Sequence, residues 1–203
     1  ASAESDDGLF TVHRVGDGIL FEIPDSLIGR DMALMSRYAE TQTGLANGGD
    51  RMAPNMLVRW ERRGDRIMLR GVSHANTAEA GSAIALAVAN SNLAPVLESF
   101  EVKARGSGTS VIDVTDMYLG DMPAFTLPRQ SRTRFGVRSY DRDRSWLEYA
   151  RSFPINIEIR VVQTYAADQA PAVPRGGALS FEVNHSMVLL PAEPMRPRLW
   201  DER

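Results

Sequence analysis

Apolar and polar residues alternate with a period of two along much of this 203-residue chain, the mark of strands with one face buried. Phe10 and Val12 open the pattern, the glycines of VGDGI turn it, and Ile19, Phe21 and Ile23 continue it, which predicts a hairpin. PDSLIGRD breaks it, since Pro24 lacks a ladder donor, Asp25 or Ser26 can cap a short helical turn, and Gly29 can end that turn. Extended pattern resumes over 32–42. After the flexible GLANGGD loop, MLVRWE and RIMLRG, joined across RRGD, predict a second hairpin.

Asn76 and Glu79 have the spacing of a capping box ahead of an alanine-rich run, which predicts a helix reaching Ala89. SFEVKARGSGTSVIDV reads as two strands about a Gly-Ser turn and TDMYLGD as one capped turn. Ser145 and Glu148 make another capping pair, and Trp146, Tyr149, Ala150 and Phe153 fall at i, i+3, i+4, i+7, predicting a short helix ended by Pro154. INIEIRVVQTY sends Ile155, Ile157, Ile159 and Val161 one way and Asn156, Glu158 and Arg160 the other, a strand wet on one face. Leu179, Phe181, Val183, His185, Met187 and Leu189 define a last strand. Strands not regularly interleaved with long helices predict an α+β fold, mostly antiparallel β, a sheet or sandwich built from hairpins with two or three short helices.

With 43% hydrophobic residues, this length suits one domain with its own core. We divide it into a disordered tail over 1–8, a β-rich domain over 9–190 and a proline-rich segment over 191–203. A net charge of -3 gives no global field toward nucleic acid or an anionic membrane. The longest apolar window, Ala83 to Ala89, falls short of the roughly 20 residues that cross a bilayer, so no membrane span is expected. The absence of cysteine removes disulfides, thiolate zinc sites and cysteine nucleophiles. A small, polar, acidic start, ASAESDDG, fits the new N-terminus left when an export signal is removed. Lys103 is the only lysine among many arginines, a preference that coding bias explains.

No local motif specifies chemistry. His13, His74 and His185 are scattered without ligand spacing. His185 falls on the apolar face of its strand, where a hydrogen-bonded structural role fits best, and His13 falls opposite Phe10 and Val12 on an exposed face. GDGILF lacks the third glycine and the helix of a dinucleotide site, and DRDRSW lacks the glycine and glutamate of a calcium loop. There is no GxSxG and no GxxxxGK. Asp113 and Asp116 are paired carboxylates, more at home as caps and turn formers than as an acid and base. Residues 129–151 interleave seven arginines with Phe135, Tyr140, Trp146 and Tyr149, which suits a salt-bridged surface, an interface or, as a third alternative, nucleic acid.

Four strings, GLFTVHRVGDGILFEIPDSLIGRDMALMSR, VIDVTDMYLGD, SFPINIEI and HSMVLLPAEPMRPRLWDER, resemble the N-terminal domain of uncharacterised function that precedes the catalytic domain in large exported bacterial zinc-dependent metalloproteases. The resemblance covers nearly the whole chain, most weakly over 43–53 and 168–177. It implies a non-catalytic accessory domain, exported to the periplasm or the outer membrane, packed on a C-terminal metalloprotease domain and shaping its substrate cleft. Extended peptide substrate is then a partner, and nucleic acid is not. The family's HExxH motif has no match here, so no catalytic or metal residue and no cofactor is assigned to this segment, and zinc belongs to the parent protein, a zinc-dependent metalloendopeptidase. Met195, Leu199 and Trp200 are the expected interdomain contacts, with Pro191, Pro194 and Pro197 stiffening the exit. The alternative is a self-standing extracytoplasmic binding module for glycan or protein, using exposed aromatics such as Trp60 or Trp146.

Overall fold

Alternation fixes the strands, and their pairing fixes everything else. The computed structural model describes residues 3–78, 81–171 and 177–193. Twelve strands run in chain order: β1 Glu4–Asp6, β2 Thr11–Val15, β3 Gly18–Pro24, β4 Asp31–Thr41, β5 Met56–Arg63, β6 Arg66–Val72, β7 Val96–Gly106, β8 Thr109–Asp113, β9 Val137–Tyr140, β10 Trp146–Ser152, β11 Asn156–Ala167 and β12 Ala178–Leu189. Three short helices join them: α1 Ala85–Ser91, α2 Thr115–Leu119 and α3 Arg129–Arg134. All the strands belong to one sheet in the order β1-β2-β3-β8-β7-β6-β5-β4-β12-β11-β10, with β9 beside β10 on the same edge of β11. Every pairing is antiparallel. The expected mostly antiparallel β fold is thus a single sheet.

The hairpin turns follow from glycine. Gly16 (φ 62°) turns β2 into β3 and Gly64 (φ 60°) turns β5 into β6, both in the left-handed region that side chains avoid. The chain then crosses between distant strands. β3 pairs with β8, and β4 lies between β5 and β12, so the first 41 residues contribute to the sheet in two separate places.

No ladder closes the sheet, yet it curls until its two ends touch. Leu9 N donates to Phe153 O at 2.7 Å, Ser152 Oγ donates to Phe10 O at 2.6 Å, and Ser152 N donates to Asp6 Oδ2 at 2.9 Å. Gly8 permits this approach, because a Cβ there would lie 2.6 Å from Ser152 Oγ and 2.7 Å from the backbone nitrogen of Phe153. Backbone cannot yield cheaply, so we expect Gly8→Ala to cost about 1–3 kcal/mol as an overpacking change. Chemical denaturation checks this.

Inward-facing side chains from all around the curl make one core. Trp60 lies at its centre, fully buried, with ring centroids 6.3 Å from Phe10, 6.3 Å from Phe21 and 5.7 Å from Phe100. The expectation of an exposed Trp60 is therefore corrected: alternation in β5 turns Val58 and Trp60 inward together.

Three further expectations change. The segment read as a helix over 145–153 forms strand β10 (Trp146–Ser152) instead, because pairing with β11 outweighs a helical spacing of aromatics. The predicted helix from Asn76 is shorter, beginning at Ala85, and Asn76 does not cap it; Glu79 lies outside the described residues. Finally, within the segment read as a disordered tail, Glu4–Asp6 form β1, tied down by its ladder to β2.

Candidate functional site

The two ends of the sheet, β1 and β10, face each other without a ladder between them among the described residues. Contact at Leu9–Phe153 and Asp6–Ser152 seals one end of this seam. Beyond it β1 and β10 diverge around a groove of about 370 Å³, with Glu4, Ser5, Asp6, Val12 and Arg14 on one wall and Glu148, Tyr149, Ala150 and Arg151 on the other.

Each wall is held from behind. His13 accepts or donates at Ser5 Oγ (2.7 Å, through Nδ1) and meets Glu22 Oε2 at 3.2 Å through Nε2, linking β1 to β3. The Glu22 carboxyl also accepts from Thr109 Oγ1 at 2.6 Å, and these two bonds, Thr109 first and then His13, hold its pKa below the usual range. His13, expected on an exposed face, is therefore half-buried and engaged. Behind β10, the Glu158 carboxylate accepts from Asn156 Nδ2 at 2.7 Å, Ser186 Oγ at 2.6 Å and Asn184 Nδ2 at 2.5 Å. Tyr149 OH donates to Asn184 Oδ1 at 3.0 Å, while the guanidinium groups of Arg160 and Arg151 lie 4.9 and 5.6 Å from the Tyr149 ring centre. The groove wall is thus locked onto the outer face of β11 and β12.

Buried groups elsewhere are structural in geometry. His185 is fully buried, its Nδ1 sharing a hydrogen bond with Ser36 Oγ at 2.8 Å and its ring lying 5.5 Å from Tyr118 and 5.4 Å from Phe125. Burial pushes its pKa down to about 3, so the ring is neutral. Among the described residues no hydrogen-bond partner reaches His185 Nε2, so this serine–histidine pair lacks the third group that would orient a base. Asp121 receives the Arg132 guanidinium and the Thr126 hydroxyl, and the arginine above all holds its carboxyl below the usual range. Arg132 also lies 5.1 Å from the Tyr165 ring, pinning the 121–132 segment to β11.

Asp113 accepts from Thr115 N at 3.0 Å and from Thr115 Oγ1 at 2.6 Å, forming the turn into α2, with Asp116 in the first turn of that helix. No three His, Cys, Asp or Glu side chains converge as metal ligands among the described residues. The arginines of 129–151 are spread over α3, β9, a 3-10 turn and β10: Arg138 meets Asp168 at 3.1 Å, Arg144 meets Asp141 at 2.8 Å, Arg142 donates to Ser145 O at 2.9 Å, and Arg134 lies over Phe135. Trp146 is 45% exposed, its Nε1 donating to Glu148 Oε1 at 2.5 Å. Met195, Leu199 and Trp200 lie outside the described residues.

At the other end of β12, Arg30 Nη2 donates to Leu190 O at 2.9 Å and Leu190 N donates to Asp31 O at 3.0 Å. Asp31 also takes Arg59 Nε at 2.7 Å and His74 Nε2 at 2.8 Å; burial opposes its charge, but these partners outweigh burial and leave its pKa lowered. Among the described residues no helix is long and apolar enough to cross a membrane.

The seam was not visible in sequence, because the residues that meet across it, Asp6 with Ser152 and Phe10 with Ser152, are 146 and 142 positions apart.

Comparison with known proteins gives two family models, both of domains of unknown function: DUF5117 over residues 49–203 and DUF5118 over residues 1–41. The boundary between them falls in the loop after β4, so the first model spans β5–β12 and the second β1–β4. No curated protein matches the chain. Nor does any solved structure.

Proposed function

From the premise that the chain belongs to the family described as domain of unknown function DUF5117, we propose that it is a non-catalytic accessory domain of a zinc-dependent metallopeptidase. In this reading the domain is exported with its parent, packs on a protease domain of the same chain and walls that domain's substrate cleft. The observation that carries it is the packing of the four strings on which the metalloprotease resemblance rests. β3 pairs with β8, β4 with β12, Ser152 bonds Phe10, and Leu189 N donates to Ile155 O at 2.8 Å, so the described parts of the strings form one contiguous unit. Where β12 ends, Arg30 and Asp31 grip Leu190 from both sides, which suits a rigid mount.

The test is cleavage of an unfolded protein substrate by the parent enzyme with and without residues 1–190. We expect removal to change both thermal stability and the pattern of cleavage sites. Unchanged stability, rate and pattern would sink the reading, as would a gene that encodes no HExxH downstream of this segment.

Trp146 supports a second reading, a self-standing module for glycan or protein. Its indole is half exposed and is oriented by Glu148, an arrangement able to stack on a sugar face.

A further inference from the structure

The direction of the strands says what the seam lacks. Eleven strands lie on the path from β1 to β10, and each is antiparallel to its neighbours. An odd number of alternating strands leaves the first and last running the same way. Direct closure of the sheet would require a parallel pair, whereas one added strand, antiparallel to both edges, would continue the pattern unbroken. The groove between the edges lies where such a strand would enter.

Backbone direction agrees. Ser152 N points across the seam to Asp6, and alternation along β10 therefore turns the N–H and C=O of Ala150 the same way. Ala150 faces Ile159 in the β11 ladder, and no backbone bond crosses the seam to it among the described residues. Edges are commonly blunted by brevity, bulges and charge. Part of that blunting is present here: β1 has three residues, the bulge of β10 lies between Leu147 and Tyr149 on the groove wall, and Asp6 covers Ser152 N at the sealed end, which leaves the Ala150 main chain as the open stretch. Glu4 and Glu148 flank the open stretch together with Arg14 and Arg151, so the groove offers both signs of charge to side chains of the incoming strand.

We propose that the seam binds an extended polypeptide segment, which enters as an added strand antiparallel to both β1 and β10 and bonds to the Ala150 main chain. This deepens the accessory reading, in which extended peptide is a partner, but the parity of the strands holds with or without a protease domain. Binding of this kind takes affinity from main-chain hydrogen bonds and selectivity from alternate side chains.

The probe is a decapeptide of alternating threonine and valine carrying lysine at both ends, titrated into the 203-residue chain and followed by backbone NMR and amide exchange. We expect shifts confined to Glu4–Asp6 and Glu148–Arg151, with the Ala150 amide newly protected. Ala150→Pro removes that donor from an edge position where proline is tolerated, and should weaken binding at least tenfold. The same loss is expected, on the unaltered protein, when alternate peptide nitrogens are methylated, a control that does not depend on how the proline variant folds. Binding that ignores both changes, shifts elsewhere on the sheet, or no binding up to about 1 mM would each overturn the proposal. None of these outcomes bears on the cleavage assay, so the two readings fail separately.

Discussion

Trp60→Ala is expected to lower the stability of this protein by about 3–5 kcal/mol, the range for deleting a large aromatic side chain from a packed core. Trp60 is fully buried, and its ring meets those of Phe10 beside β2, Phe21 on β3 and Phe100 on β7. The neighbouring strands are locked into their ladders and cannot collapse into the space, which places the loss toward the upper part of that range. For a domain of this size about 2–4 °C of melting temperature accompanies each kcal/mol, so calorimetry should register a fall of about 6–20 °C. Trp60→Phe should cost much less, because it keeps most of the ring volume and removes an indole N–H that has no hydrogen-bond partner among the described residues. A loss near zero for the alanine variant would mean that this residue does not sit at the centre of the core.

The second large effect depends on pH. His185 stays neutral in the folded protein because burial depresses its pKa to about 3, against an ordinary value near 6.5. The unfolded chain takes up the proton that the folded one refuses. Stability from this group is therefore complete above pH 6.5 and is lost as pH falls from 6.5 toward 3, at about 1.4 kcal/mol per pH unit. By pH 5 the loss is about 2 kcal/mol. Asp31 and Asp121, whose carboxyl pKa values are lowered in the fold, also lose their contribution on acidification, but only in the carboxylate range, below the pH 7 to pH 5 interval. Replacing both members of the buried pair, Ser36→Ala with His185→Leu, leaves neither partner unsatisfied. We expect urea unfolding of the double variant to show a pH 7 to pH 5 decline smaller than that of the unaltered protein by about 2 kcal/mol. Parallel declines would contradict the buried, neutral histidine.

Much of the sheet was legible because local chemistry and final pairing agree. VGDGI and RRGD supply a glycine where a turn needs positive φ, and the strands on either side alternate cleanly, so both hairpins could be read directly. INIEIRVVQTY and the strand ending at Leu189 were equally plain, since β11 and β12 each keep one face in the core, although Ile155, expected on that face, lies just before β11 and is exposed. The failure at 145–153 has a definite cause. A bulge between Leu147 and Tyr149 inserts one residue, so the inward positions become Leu147, Ala150 and Ser152, and the broken alternation imitates the spacing of a helix. At Asn76 the capping pattern was present without a core to support it, for α1 buries no residue, and the helix is confined to seven residues from Ala85. His185 could be placed because its neighbours in sequence alternate around it; its partner Ser36, 149 residues away, could not. The seam was beyond reach for the same reason, as it depends on strand order and on the parity of the strand count, neither of which is a local property.

Residues 1–41 and 49–203, matched by two different family models, are interleaved parts of a single sheet, and the core and the seam both depend on that. Without the first segment, β8 loses β3, both β5 and β12 lose β4, and Trp60 loses Phe10 and Phe21. The direct measurement is to produce residues 1–48 and 49–203 as separate chains and to monitor each, and their mixture, by thermal unfolding and NMR dispersion. We predict that neither chain alone gives a cooperative transition and that mixing restores one close to that of the intact protein. A cooperative, well-dispersed 49–203 on its own would contradict the interleaved sheet.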